Sequence, residues 1–105
     1  MSINIHDFLH ALPGKVNPEV LEGQNACFHF DFEAAGMFTV QLNDGKLEVV
    51  DGLQGTPSCT VKTTEEAFNK LLSGDLNPMM AMMTGKLKIS NPGEMLKYAK
   101  IFGLA

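Results

Sequence analysis

CFHFDFE (residues 27–33) and FTVQLNDGKLEVV (residues 38–50) alternate apolar and polar side chains with a period of two. Because successive side chains of a β-strand point to opposite faces of a sheet, this alternation predicts strands with one apolar face. The second segment is interrupted at Asn43–Lys46, where the Asp-Gly pair tolerates the positive φ angles of a tight hairpin. The two segments therefore predict three consecutive strands whose apolar face must be covered by other elements.

Two further alternating segments, SCTVKT (residues 58–63) and GKLKIS (residues 85–90), raise the predicted number of strands to five. Strands of this kind are typical of a largely antiparallel sheet with one covered face and one solvated face. The residues predicted to point inward are Phe28, Phe30, Phe32, Phe38, Val40, Leu42, Leu47, Val49, Cys59, Val61, Leu87 and Ile89. Those of the first strand predicted to face solvent are Cys27, His29, Asp31 and Glu33.

Helical patterns precede these strands. Apolar residues between Ile5 and Leu12 recur at helical spacing, and Pro13-Gly14 is predicted to end that helix. Asn17-Pro18 predicts the start of a second, short helix, because Asn caps helices well and Pro is tolerated at the first helical position. Gly23 is predicted to close it.

Three more helices are predicted in the second half of the chain. TTEEAFNKLLSG begins with a capping box between Thr63 and Glu66. Asn-Pro pairs at residues 77–78 and 91–92 start the other two helices, of which the last is predicted to cover residues 92–105. The residues expected to face the sheet are Phe68, Leu71, Leu72, Met95, Leu96, Tyr98, Ala99 and Phe102. The predicted order α-α-β-β-β-β-α-α-β-α is an α+β fold with helices on one face of the sheet.

Length and charge limit the class of protein. The chain has 105 residues and a formal net charge of −4, so we predict one domain over residues 1–105 and no nucleic-acid partner. We recognise no secretory signal, and no run approaches the roughly 20 apolar residues of a membrane span. A cytoplasmic location is therefore expected. Cys27 and Cys59 are predicted to be free thiols, since they fall on opposite faces of the sheet.

Patterns typical of catalysis or metal binding are weak in this sequence. His6 and His10 are spaced for one helix face, but no third ligand has a recognisable spacing, which favours a solvated face. TGKLK at residues 84–88 lacks the preceding glycine and the Ser or Thr of a phosphate loop. A solvated sheet face explains Cys27, His29 and Asp31 better than a nucleophile or metal set does. We therefore predict no enzyme activity, no metal and no cofactor.

Four of the seven methionines lie within residues 79–83. At about 100° per residue they span roughly 160° of a helix. Methionine can fill a core, but its unbranched and polarizable side chain also suits a surface that must fit several apolar shapes. From the residues alone both interpretations stay open. Ile101 and Leu104 fall on the polar side of the last predicted helix, so they either belong to a frayed end or form an apolar rim at a pocket mouth or subunit contact.

FNKLLSGDLNPMMAMMTGKLKIS (residues 68–90) resembles the sterol carrier protein 2 domain family. The family pattern is Gly-x-Leu-Asn-Pro-x-x-Ala-x-x-x-Gly-Lys-Leu-Lys-Ile. The residues that match it are Gly74, Leu76, Asn77, Pro78, Ala81, Gly85, Lys86, Leu87, Lys88 and Ile89. The resemblance continues more weakly through residues 42–64 and 17–32. The given sequence ends in GLA and not in a peroxisomal SKL-type signal, so no peroxisomal location is carried over.

The resemblance implies helices over one face of a five-stranded sheet, with an apolar tunnel between them. The implied ligand is a lipid, such as a fatty acid, a fatty acyl-CoA, a sterol or an isoprenoid. The implied activity is non-catalytic lipid binding or transfer, and the resemblance favours a ligand-facing role for the methionines. We also expect transient contact with a membrane. The residues expected to bind the lipid are Phe30, Phe32, Phe38, Val40, Phe68, Leu72, Met79, Met80, Met83, Leu96, Ala99 and Phe102. The alternatives are a protein-interaction module that uses the methionines and a small hydrolase that uses Cys27 and His29.

Overall fold

A computed structural model of the chain describes residues 4–102, apart from the side chain of Pro18. Its elements follow the predicted order. The helices are α1 (Ile5–Lys15), α2 (Pro18–Leu21), α3 (Glu65–Ser73), α4 (Pro78–Met83) and α5 (Pro92–Tyr98). The strands are β1 (Asn25–Asp31), β2 (Met37–Asn43), β3 (Lys46–Asp51), β4 (Cys59–Thr63) and β5 (Leu87–Ile89), with a 3-10 turn at Glu33–Ala35.

The five strands form one sheet in the order β3-β2-β1-β4-β5. β1 and β4 are parallel, whereas the other neighbouring pairs are antiparallel, which confirms the mainly antiparallel α+β prediction. Phe30 lies opposite Phe38 of β2 and opposite Val61 of β4, so large apolar side chains share one face. To reach β4 from the edge strand β3, the chain crosses β2 and β1 through residues 52–58, which we call the crossover loop.

The apolar face of the sheet forms the core, as predicted. The ring centroid of Phe30 lies 5.7 Å from that of Phe32 and 5.0 Å from that of Phe102. Phe68 of α3 packs edge-on against Phe32 at 5.2 Å. Such offset and edge-to-face pairs stabilise a core beyond the burial of their area. Of the residues predicted to point inward, Val49 and Ile89 are half-buried and the others are buried.

The opposite face of the sheet is not solvated along β1, so that part of the prediction is wrong. Cys27 and His29 are only 8% and 9% exposed. The Gln54 carbonyl in the crossover loop accepts a hydrogen bond from His29 Nε2 at 2.8 Å and a longer one from Cys27 Sγ at 3.7 Å. The parallel placement of β4 requires this crossing, and the loop then covers the polar positions of β1.

Thr39 fastens the crossover loop to the sheet. Its buried hydroxyl donates to the Gly52 carbonyl at 2.8 Å and accepts from the Gln54 amide at 2.9 Å. Thr39→Val should lower the free energy of unfolding by about 1–3 kcal/mol, because both backbone groups lose a partner. The loosened loop should also speed alkylation of Cys27 by iodoacetamide, while Cys59 on the other face serves as the internal control. Equal Cys27 labelling in the variant and the wild type would show that Thr39 does not hold the loop.

The first helix ends later than predicted. Pro13-Gly14 does not end α1, which continues to Lys15, and the Val16 amide donates to the Leu12 carbonyl at 3.1 Å. Because Leu12 is buried at this turn, its packing outweighs the one hydrogen bond that proline removes.

None of the helices between residues 4 and 102 is both long enough and apolar enough to cross a bilayer.

The predicted capping box of α3 does not form, and the N-cap lies one residue later than predicted. Thr64 is the N-cap, and its hydroxyl accepts from the Ala67 amide at 3.0 Å. Thr63 instead ends β4, where its hydroxyl donates to the Lys86 carbonyl at 2.8 Å and ties β4 to the start of β5. Strand pairing therefore decides which threonine caps the helix.

The last helix is shorter than predicted. α5 ends at Tyr98, and the Ile101 amide then donates to the Tyr98 carbonyl at 3.0 Å in a tighter turn. We call residues 99–102 the C-terminal turns. They rotate Ile101 into a buried position, so its predicted place on the polar side is wrong, as is the predicted covered position of the 78% exposed Leu96. Leu104 lies outside the described residues.

Candidate functional site

The twelve residues predicted to bind lipid lie in different environments. Those buried between the sheet and the helices are Phe30, Phe32, Phe38, Val40, Phe68, Ala99 and Phe102. Leu72 is half-buried against the same core. Those exposed on the outside are Met79, Met80, Met83 and Leu96. The twelve residues therefore do not share one surface.

Aromatic side chains fill the space between the sheet and the C-terminal turns. Phe102 is fully buried, and its ring centroid lies 5.1 Å from that of Phe28 and 5.0 Å from that of Phe30. Tyr98 packs edge-on against Phe28 at 5.4 Å, and its hydroxyl donates to the Gln24 side chain at 3.0 Å. These rings pack against one another in the region where the family resemblance implies a tunnel.

An apolar cavity of about 360 Å³ lies between α1, α2 and the C-terminal turns. We call it the α1–α2 cavity. Its apolar lining consists of Phe8, Leu12, Val16, Val20 and Ile101. Its polar lining consists of Lys15, Asn17 and Lys100. An apolar cavity that is open to solvent and has two lysines in its lining is suited to an apolar chain that carries an anionic group.

Local sequence explains the geometry of the α1–α2 cavity. Phe8 and Leu12 are four residues apart on α1 and therefore share one helix face. The Phe8 ring lies 5.8 Å from the core residue Phe68, which joins the cavity wall to the core. Lys15 Nζ lies 5.9 Å from the centroid of the Phe8 ring, close enough for a cation–π contact. Asn17 starts α2 by accepting a hydrogen bond from the Glu19 amide.

None of the twelve predicted binding residues lines this cavity. The helical spacing of Phe8 and Leu12 indicates a covered face, but it does not say whether a core or a cavity covers it. Of the residues that line this cavity, only Ile101 was connected with a pocket by the sequence, through the hypothesis of an apolar rim at a pocket mouth. Its position in the cavity lining agrees with that hypothesis, although its side chain is buried and not on a polar helix face.

Three methionines of α4 form an exposed apolar surface. Ala81 is fully buried and Met82 packs partly against the core, which fixes the orientation of the helix. Met79, Met80 and Met83 are 67%, 55% and 78% exposed, and we call them the Met surface. The interpretation in which these three methionines fill the core is therefore wrong.

Cys27 and His29 do not form a nucleophilic pair. Both direct their polar atoms at the Gln54 carbonyl, and burial raises the pKa of the Cys27 thiol. A protonated thiol is a poor nucleophile. Burial likewise raises the pKa of Cys59, and both cysteines are free, as predicted. The hydrolase alternative gains no support from this geometry.

A second cavity, of about 320 Å³, is lined by groups of both charges. It lies between the start of α3 and β5. Its charged lining consists of Glu33, Glu66, Lys62, Lys70, Lys86 and Lys88. Lys70 Nζ lies 3.4 Å from Glu66 Oε1, so the charges partly compensate each other. This mixed surface is less suited to an apolar ligand than the α1–α2 cavity is.

Within residues 4–102, one group of side chains has the composition and spacing of metal ligands: His6, His10 and Asp51. Their donor atoms lie within 4.8 Å of one another. The hydrogen bond with His10 lowers the pKa of Asp51, so this carboxylate is ionised at neutral pH. Asp51 is the third donor that sequence spacing alone does not identify.

Sequence comparison identifies the group of proteins to which the chain is related. The model of the SCP-2 sterol transfer family matches residues 5–103. Hydroxysteroid dehydrogenase-like protein 2 of Xenopus tropicalis is 31% identical over 103 residues, which are 94% of this chain and 25% of that protein. The protein of the same name from Xenopus laevis is 30% identical with the same coverage. The chain thus spans about a quarter of the length of these curated relatives.

Solved structures share the fold. The sterol carrier protein domain 2 of Helicoverpa armigera has a TM-score of 0.72 and 24% identity, over 91% of this chain and 80% of that one. Sterol carrier protein 2-like 2 of Aedes aegypti has a TM-score of 0.67 and 20% identity, over 97% and 93%. An inverting sec-alkylsulfatase from a Pseudomonas species contains a similar segment, with a TM-score of 0.71 and 22% identity over 89% of this chain and 15% of that one.

Proposed function

We propose that this chain, which belongs to the SCP-2 sterol transfer family, binds and transfers an aliphatic lipid and performs no catalysis of its own. The observation that carries the proposal is an open apolar cavity on a chain that matches this family over residues 5–103. The cavity volume of about 360 Å³ lies at the lower end of the roughly 300–1,000 Å³ typical of ligand sites. Removal of an acyl chain from water supplies roughly 25 cal/mol per Å² of apolar surface, before ordering costs.

The charge of the cavity lining favours a lipid with an anionic head group. Lys15 and Lys100 both contribute to this lining and are both exposed. Each can approach a carboxylate or phosphate while its apolar stem covers the cavity wall. We therefore place a fatty acid or fatty acyl-CoA ahead of an uncharged sterol or isoprenoid alcohol.

The predicted tunnel is part of the proposal. Ile101 lines the cavity, and the next residue, Phe102, fills the core against Phe28 and Phe30. Moving the C-terminal turns outward would join the cavity to the space between the sheet and the helices. An acyl chain that takes this path would have to replace the contacts of the Phe102 ring with Phe28 and Phe30.

We also propose a location and a domain organisation for the chain. Residues 1–105 form one binding domain that acts in the cytoplasm and uses no cofactor. Two free cysteines suit a reducing compartment, and the occupied polar atoms of Cys27 and His29 fit a carrier better than a hydrolase. Titration of a membrane-extracted lipid against the purified chain, followed by native mass spectrometry, would identify the ligand by its mass.

Val20→Asn tests whether the α1–α2 cavity holds the acyl chain. Val20 lines the cavity and is 54% exposed, so a polar substitution there should change the free energy of unfolding by less than about 0.5 kcal/mol. The apolar contact it loses should weaken binding of a fluorescent fatty acid about tenfold, which corresponds to about 1.4 kcal/mol. Fluorescence titration and a thermal melt without ligand measure the two effects separately.

Leu53→Asn is the matched control, because Leu53 is 47% exposed but belongs to the crossover loop. It should leave binding unchanged. Hexadecanoate should displace the probe more effectively than hexadecanol or cholesterol does, since only the carboxylate interacts with the two lysines. Normal binding by Val20→Asn, or equal loss in both variants, would exclude this cavity as the lipid site.

A further inference from the structure

The exposed side of α1 and the end of β3 bring three metal-ligating side chains together. His6 and His10 are four residues apart on α1, and their ring centroids are 4.3 Å apart. His10 Nε2 lies 2.8 Å from Asp51 Oδ1, and His6 Nε2 lies 3.6 Å from the same oxygen. Two imidazoles and one carboxylate thus converge on one point of the surface.

The two distances to Asp51 Oδ1 are close to those around a tetrahedral metal ion, and all three donor atoms lie within 4.8 Å of one another. Zn²⁺ binds histidine nitrogen and carboxylate oxygen at about 2.0–2.2 Å, so neighbouring donors lie about 3.3 Å apart. The observed distances of 2.8 Å and 3.6 Å fall on either side of that value. Small side-chain rotations are therefore sufficient to fit an ion, and all three side chains remain partly exposed and able to rotate.

The surroundings orient the donor atoms. Asp7 Oδ1 lies 3.4 Å from His6 Nδ1, which leaves Nε2 directed at Asp51. Metal-ligating histidines commonly have such a carboxylate behind the other ring nitrogen. The Phe38 ring lies behind both imidazoles, in edge contacts at 6.0 Å and 6.4 Å. Strand β2 therefore supports the two rings from the side opposite to solvent.

A simpler interpretation is a clamp in which His10 and Asp51 join α1 to β3 by one hydrogen bond. That accounts for the 2.8 Å contact. It does not account for His6, whose Nε2 faces the same oxygen at 3.6 Å, a distance too long for a hydrogen bond. The shared approach of both rings is the arrangement expected when a cation can occupy the point between them.

We infer that His6, His10 and Asp51 bind one divalent transition-metal ion of the zinc type. The donor set of two imidazoles and one carboxylate suits Zn²⁺, Cu²⁺ and Ni²⁺ better than Mg²⁺ or Ca²⁺, which prefer oxygen. Because the site faces solvent, water completes the coordination. The bound ion joins α1 to the sheet, and it stabilises the folded chain by an amount that rises with the logarithm of the metal concentration once that concentration exceeds Kd.

The test uses the full chain without a polyhistidine tag, after removal of metals with a chelator. Calorimetric titration with Zn²⁺ should give one site, and Zn²⁺ but not Mg²⁺ should raise the melting temperature. His6→Asn and Asp51→Asn should each weaken binding at least tenfold, while the control Glu48→Gln, an exposed acid of β3, should not. Co²⁺ should give visible bands without a thiolate charge-transfer band, which separates this site from Cys27.

Each result decides the matter. Binding that is unchanged in both His6→Asn and Asp51→Asn, or that shows the thiolate band, would overturn the inference. A melting temperature that falls in His10→Asn without metal, together with Zn²⁺ binding that does not depend on His6, would leave only the hydrogen-bond clamp. The lipid-binding measurements with Val20→Asn are independent of this outcome.

Discussion

Phe30→Ala is expected to lower the free energy of unfolding by about 3–5 kcal/mol. Phe30 is fully buried, and its ring contacts those of Phe28, Phe32 and Phe102 at centroid distances of 6.3, 5.7 and 5.0 Å. Truncation leaves a cavity, and the surrounding rings of the sheet and the C-terminal turns cannot move far enough to fill it. Domains of this size have a total stability of about 5–15 kcal/mol, so the loss is a large share of it. Urea unfolding measures the change.

Phe30→Leu is the matched control, and it should cost much less than Phe30→Ala because it keeps most of the apolar volume. The experiment also separates core from tunnel wall, a distinction that alternation in the sequence cannot make. A side chain that already borders an open tunnel loses few neighbours on truncation. A small stability loss in Phe30→Ala, with fatty-acid binding strongly altered, would therefore place the ligand next to Phe30 and contradict the packed core.

The sequence predicts the individual strands well because the alternation that marks each of them is local. Each strand alternates apolar and polar residues, and pairing in the right register only has to align those faces. The starts of three helices are equally local. The side chains of Asn17, Asn77 and Asn91 accept hydrogen bonds from the amides of Glu19, Met79 and Glu94, respectively. Each asparagine precedes a proline that occupies the first helical position.

The errors arise where distant parts of the chain meet. Alternation places Cys27 and His29 on the polar face correctly, but it cannot show that a loop some 25 residues later will cover them. The displaced cap of α3 has a similar cause, because pairing of β4 with β5 takes Thr63 into the sheet. Ile101 lines the same cavity as residues of α1 and α2. Helical periodicity carries no information about such contacts between distant segments, so it does not predict where α5 ends.

The candidate sites show the same limit. Patterning identifies apolar residues that are covered, but only three-dimensional packing separates the filled core at Phe102 from the cavity at Phe8 and Ile101. The histidine pair on α1 is evident from its spacing of four. Its carboxylate partner is 41 residues from His10 along the chain and comes close only because β3 is the edge strand that packs against α1.

The triple change Met79→Gln, Met80→Gln and Met83→Gln is expected to slow lipid transfer from membranes by a factor of about ten or more. We propose that the Met surface contacts the bilayer while the lipid passes to the α1–α2 cavity. Full burial of a methionine side chain away from water is favourable by roughly 1.5–3 kcal/mol. A loss of about 1.4 kcal/mol in the free energy of membrane binding weakens that binding about tenfold. The measurement is transfer of a fluorescent fatty acid from phosphatidylcholine vesicles to the chain.

Stability should barely change, because the three side chains are exposed whereas Ala81, Met82 and the Asn77 cap hold α4 in place. Met82→Gln is the control for a loss of packing, because Met82 packs partly against the core. It should lower the melting temperature more than the triple variant does. Equilibrium binding of a soluble fatty acid distinguishes two roles for the Met surface. Slow transfer with normal binding indicates membrane contact, whereas a parallel loss of binding supports the ligand-facing role predicted from the sequence. Unchanged transfer would exclude both roles, and would leave docking of a partner protein as the function of these side chains.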